Sequence, residues 1–173
     1  MTIIIGQILG IIAVILTFVS YQAKTDKQIL IILSTATVFL VVHYCLIGAT
    51  SGLALNIVCL LRNFAYFFKD KKVLSSPAVP YIFAAITVIY GIITWQAYYS
   101  IFIIIGLAVN TVALSRDPQT LRKSILLTST LVLIYNIFVF SIGGIINEIV
   151  AIVSAVIGLI RFYRADKAAP TNK

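Results

Sequence analysis

The segment SIGGIINEIV (141–150) sets one carboxylate, Glu148, inside an otherwise apolar helical run, with Asn147 beside it. A charge within hydrocarbon costs at least about 2.5 kcal/mol on insertion scales, so such a group usually serves a solute path, a proton relay or a tie between helices. Other polar side chains punctuate the apolar runs: His43 and Tyr44, Asn56, Asn63, Asn110, and Tyr135 and Asn136. Hydroxyl, amide and imidazole groups both donate and accept hydrogen bonds, and a carboxylate attracts an ammonium group or exchanges a proton. That inventory suits recognition of an amino, cationic or proton-linked solute. It does not suit catalysis, because the chain has one histidine, no nucleophile motif, no Gly-rich phosphate loop and no metal-ligand spacing. Cys45 and Cys59 both fall in apolar runs and read as packing residues. The expectation is a binding protein that is not an enzyme and needs neither cofactor nor metal. The competing reading is structural or regulatory: polar bonds between membrane helices also fix packing, at about 0.6 kcal/mol each on average.

The elements that must carry these groups are apolar helices. Hydrophobic residues make up 61% of the 173 residues and charged residues 10%, and mean hydropathy is +1.10. This balance excludes a soluble domain and indicates an integral membrane protein. The first twenty residues lack the basic start and small-residue cleavage site of a leader and read as a retained span. Roughly 17–25 apolar residues cross a bilayer as a helix. Seven such segments are predicted, at about 3–22, 28–48, 51–69, 78–95, 97–115, 121–141 and 143–164. Their connections alternate between charged (AKTDKQ, KDKKVLSSP, SRDPQTLRK) and uncharged (IGATSG, TWQAYY, FSIGG). All 13 Lys and Arg gather at one set of helix ends, with Arg62 and Arg161 expected to snorkel toward that side. An excess of basic residues in short loops marks the cytoplasmic face, which predicts a multi-pass chain with its amino terminus outside and its carboxyl terminus inside. The charge of +8 then faces lipid; no nucleic-acid partner is expected, and self-association into a homo-oligomer is left open.

A shift of 92 residues aligns KTDKQILIILSTATVFLVVHY (24–44) with RDPQTLRKSILLTSTLVLIYN (116–136). Gly52 then meets Gly144, and Asn56 meets Glu148. The chain is therefore divided into a first three-helix unit (1–72), a linker helix (73–96), a second unit (97–167) and a cytoplasmic tail (168–173). An odd linker helix gives both units the same orientation. This 3+1+3 plan resembles the SWEET and PQ-loop transporters, although spans 1 and 5 lack the proline usual there. That resemblance implies a small-solute transporter in which an asparagine on the third helix of a unit, here Asn56, lines the site. VVHYCLIG (41–48), Arg62, SIGG followed by Glu148, and LIRFYR (159–164) are similar to the YgjV-like bacterial inner-membrane proteins over nearly the whole length. That resemblance implies an inner-membrane location.

Residues three or four apart share a helix face. Gly144, Glu148, Ala151, Ala155 and Gly158 form one stripe, and Gly52, Asn56, Cys59 and Asn63 another. Small residues mark close helix packing in membranes, so both stripes are expected to face the interior. Glu148, His43, Asn56, Asn136, Tyr135, Tyr44 and Asn147 are predicted to form one substrate-binding layer, with Asn110 and Asn63 lining a path beyond it.

Overall fold

The computed structural model describes residues 1–20, 26–68, 76–116 and 118–168. They form seven α-helices, with no strand among the described residues: α1 (Thr2–Ser20), α2 (Asp26–Leu46), α3 (Thr50–Phe67), α4 (Val79–Ile93), α5 (Ser100–Ala113), α6 (Pro118–Phe138) and α7 (Ile142–Ala168). Thr2–Ser20, Thr120–Phe138 and Ile142–Arg164 are long and apolar enough to cross a membrane. Each expected span holds a helix, but α4 and α5 are shorter than predicted, with 15 and 14 residues. At 1.5 Å per residue they measure about 22 and 21 Å, less than the ~30 Å hydrocarbon core.

Local hydrogen bonds explain the shortening. Within TWQAYY the backbone turns back on itself, and Ser100 Oγ accepts from Gln96 N at 3.1 Å and Ala97 N at 3.3 Å. At the other end of α5 the chain tightens over residues 114–116, where Ser115 N bonds Val112 O and Arg116 N bonds Ala113 O. Three-residue closures of this kind end a helix by satisfying its last carbonyls.

The helices close into a ring. Going round it, α1 packs on α2, α2 on α3, α3 on α5, α5 on α6, α6 on α7, and α7 on α1. The remaining helix, α4, lies outside the ring against α3 and α5. The α1–α7 seam is tight because two glycines meet there: a Cβ on Gly143 would fall 2.5 Å from the Gly10 carbonyl carbon. Direct backbone approach is the usual role of small residues between membrane helices. Ile, Leu, Val and Phe side chains cover the outside, as on α1 where Ile4, Ile8, Ile11, Ile15 and Phe18 are exposed. The buried apolar cluster is small and sits toward one end of the ring, where Tyr44, Leu55, Ile103, Val132 and Tyr135 pack together.

Candidate functional site

The α2–α3 and α6–α7 turns lie at that same end, and the side chains around them make a plug. Tyr44 Oη donates to Asn136 Oδ1 at 2.7 Å. Tyr135 Oη accepts from the backbone N–H of Gly52 at 2.8 Å. His43 spans three elements: Nδ1 lies 2.7 Å from Gly6 O in α1, and Nε2 lies 2.7 Å from Ser141 Oγ ahead of α7. A carbonyl can only accept, so Nδ1 carries the proton and Nε2 accepts from the Ser141 hydroxyl. Ser141 Oγ in turn accepts from Gly144 N at 3.1 Å, capping α7 in the ordinary way. His43, Tyr135 and Asn136 are fully enclosed, and Tyr44 nearly so. Tyr99 and Phe138 stack face to face, 5.4 Å between centroids, with Tyr99 edging onto Tyr135.

Below the plug the ring is hollow. A cavity of about 990 Å³ is lined by residues of α2, α3, α5, α6 and α7, with the start of α4 (Val79, Pro80 and Tyr81) and Thr17 of α1 adding to its wall. Of its polar lining, Asn56, Asn147 and Glu148 lie nearest the plug. Asn56 lies six residues into α3 and Glu148 six into α7, so both are about 9 Å below the helix starts. Asn56 Nδ2 donates to Gly52 O at 2.8 Å, which leaves its carbonyl oxygen for the cavity. Asn147 Nδ2 donates to Glu148 Oε1 at 3.1 Å, and Ser129 lines the same cavity. Farther down are Arg62, Asn63 and Asn110. The mouth lies among Ser76, Tyr81, Ser115 and Arg116, which are exposed, and Arg116 Nη2 donates to Tyr81 Oη.

The nine residues singled out from sequence are therefore divided between two tiers rather than one layer. Glu148, Asn56, Asn147, Asn110 and Asn63 line the cavity. His43, Tyr44, Tyr135 and Asn136 do not line it and lie in the plug that closes it. One turn of helix separates the tiers, since Asn56 bonds back to Gly52, whose own N–H belongs to the plug.

Arg62 corrects the expectation of a snorkelling side chain. It is 6% exposed and turned inward. Its Nε and Nη2 donate to Asn63 Oδ1 at 3.3 and 3.0 Å, and Nη1 donates to Thr111 Oγ1 at 2.9 Å. The stripe of Asn56, Cys59 and Asn63 pointed to it, because Arg62 follows Cys59 by three. Arg161, by contrast, is exposed. Thr128 and Ser129 are a second addition. Both line the cavity, and Thr128 Oγ1 is enclosed without a hydrogen-bond partner. The signal for them was faint: a Ser–Thr pair in an apolar helix, four residues ahead of Val132 and seven ahead of Tyr135 or Asn136.

No curated protein and no solved structure matches this chain. A sequence model of one family, Imp-YgjV, described as a bacterial inner membrane protein, matches residues 4–166 and so takes in every plug and cavity residue named above. The chain belongs to that family of bacterial inner membrane proteins.

Proposed function

We propose that the chain is a multi-pass, small-solute transporter made of two pseudo-symmetric three-helix units, 1–72 and 97–167, joined by α4. The observation that carries this reading is the one-ended cavity. A solute can reach Asn56 and Glu148 from the mouth, while hydrogen bonds between the two halves close the other end. Alternating access requires a central site with closures made between repeats on either side of it.

Atomic detail supports the two units. The backbone bonds Ile47 N–His43 O, Gly48 N–Cys45 O, Ala49 N–Tyr44 O and Leu53 N–Ala49 O recur as Val139 N–Tyr135 O, Phe140 N–Ile137 O, Ser141 N–Asn136 O and Ile145 N–Ser141 O. Each is displaced by 92 residues. Gly48 (φ 75°) and Phe140 (φ 53°), the two described residues with positive φ, obey the same shift. Such a conformation suits glycine and strains phenylalanine, so its retention at Phe140 speaks for an inherited turn. Tyr44 bonds Asn136, its own equivalent 92 residues on. A residue can touch its image only near a two-fold axis, so that axis runs through the plug. The helix ring also maps onto itself when α1, α2 and α3 are exchanged with α5, α6 and α7.

Orientation follows from charge. Lys27 at the start of α2, Arg116 after α5, and Arg122 and Lys123 near the start of α6 all lie toward the mouth end. Basic short loops stay cytoplasmic, so the mouth opens inward and the amino terminus lies outside. The test is uptake into liposomes that hold the purified chain, using labelled sugars, amino acids and polyamines. Saturable uptake of one class is expected, reduced about tenfold or more by Glu148→Gln, in keeping with loss of a charge-assisted contact. A folded, correctly inserted protein that moves none of the panel faster than empty liposomes would overturn the reading.

A further inference from the structure

We infer that the cavity takes a small zwitterionic solute of the amino-acid class, its ammonium group at Glu148 and Asn56 and its carboxylate at Arg62. This rests on the transporter reading above and names the solute class for the same site.

Among the described residues, two charged side chains stand inside the cavity and one, Arg116, at its exposed rim. The two inner ones have opposite sign and do not neutralise each other. The hydrogen bonds of Arg62 go to the neutral side chains of Asn63 and Thr111. The hydrogen bond that Glu148 accepts comes from the neutral side chain of Asn147. A guanidinium carries five N–H groups. Three are engaged here, which leaves one on each terminal nitrogen, the pair that grips a carboxylate in a fork. A carboxylate accepts about four hydrogen bonds, so Glu148 retains room for an ammonium donor, with the Asn56 carbonyl oxygen at the same depth.

Glu148 and Asn56 lie at one depth and Arg62 six residues farther along α3, so the two charges are offset by about 9 Å of helix rise. A solute that carries both charges answers both groups. The other solute classes each leave a charge stranded. A polyamine would bring a cation past Arg62 without an anion for it, a simple acid would leave Glu148 facing an anion, and a sugar would leave both groups without a counter-charge in a site where charge is costly.

The test uses the purified full-length chain and measures binding by solute-induced thermal stabilisation. A panel of L-amino acids is compared, member by member, with the carboxamides that lack the anion and the 2-hydroxy acids that lack the cation, with glucose as neutral control. The best amino acid should bind roughly tenfold or more tightly than either partner, as loss of one charge-assisted contact requires. Glu148→Gln should bring the amino acid down to its hydroxy acid, and Arg62→Gln should bring it down to its carboxamide. Arg62→Lys, which keeps the charge, should preserve the ranking if Arg62→Gln fails to fold. A carboxamide, hydroxy acid or glucose that binds as well as the amino acid overturns the assignment and leaves the transporter reading standing. Binding of none of them also overturns it, and if liposome uptake is absent as well, both readings fall.

Discussion

At the start of α3 the third backbone N–H belongs to Gly52, and its acceptor arrives from α6, 83 residues away, as Tyr135 Oη. The residue ahead of α3 is Ala49, which has no side-chain oxygen to cap with. The corresponding residue ahead of α7 is Ser141, which caps Gly144 N with its own hydroxyl and passes its proton to His43. Tyr135 and His43 thus serve equivalent helix starts, the longer tyrosine acting directly and the shorter histidine through a serine. Removal of the tyrosine hydroxyl strands a buried N–H, at a cost of about 1–3 kcal/mol. Tyr135→Phe is therefore expected to melt several degrees below wild type in detergent. Ala49 is enclosed, but serine adds only one oxygen beside the orphaned donor. The double variant Ala49→Ser/Tyr135→Phe should regain most of the loss, because it rebuilds in the first turn the cap that Ser141 gives the second. A double variant that melts no higher than Tyr135→Phe would show that the tyrosine stabilises by packing instead.

At the scale of the elements, two glutamines hold the two turns of the plug. Gln7 in α1 donates to Phe140 O at 2.7 Å and accepts from Ile142 N at 3.0 Å. Gln96 donates to Gly48 O at 3.2 Å and accepts from Thr50 N at 3.1 Å. The bonded backbone atoms differ by 92 residues in both cases, so the first unit clamps the turn of the second, and the linker's last residue, Gln96, clamps the turn of the first. Gln7→Ala and Gln96→Ala should each lower stability by about 1–2 kcal/mol, the net worth of two partly exposed hydrogen bonds. The two losses should be similar and additive, which denaturation of the single and double variants checks; a large loss for one alone would separate the turns. These clamps mark the limit of what sequence reading reached. Apolar runs and basic breaks located seven helices, since helix length and loop charge are local properties, and the stripe through Gly52, Asn56 and Asn63 correctly led to the cavity wall. TWQAYY reads as a connection, but the predicted ends of α4 and α5 run too far into it, because its residues are apolar enough to extend a helix and only the bonds to the Ser100 hydroxyl show the full turn. The division of the polar residues into plug and cavity was out of reach. It depends on partners 83 to 98 residues away, and no helical period carries that distance.

For the whole molecule the consequence is asymmetry of access. The hydrogen-bonded plug lies at one end of the ring and exposed cavity-lining residues at the other, so the proposed function requires solvent to reach the Glu148 tier from the mouth. The two cysteines report on this directly. Cys45 is exposed on the outer, apolar face of α2, whereas Cys59 is buried in α3 and lines the cavity. Cys59 lies nine residues into α3, about 13 Å below the plug end, with the Gly52–Tyr135 bond between it and that surface. In a Cys45→Ala background, a small charged thiol reagent that does not cross lipid should modify Cys59 in inside-out membrane vesicles. In right-side-out vesicles the reaction should be slower by at least roughly tenfold, because a state whose plug has opened must first be populated. Adding Tyr44→Phe leaves Asn136 Oδ1 without its donor, where Nδ2 already lacks a partner. That change destabilises the sealed state, so labelling from the right-side-out face should rise while labelling from the inside-out face falls. Faster labelling of the parent from the right-side-out face would invert the assigned orientation. Equal labelling from both faces would mean that the hydrogen-bonded tier is no seal, and with it the case for alternating access would fail.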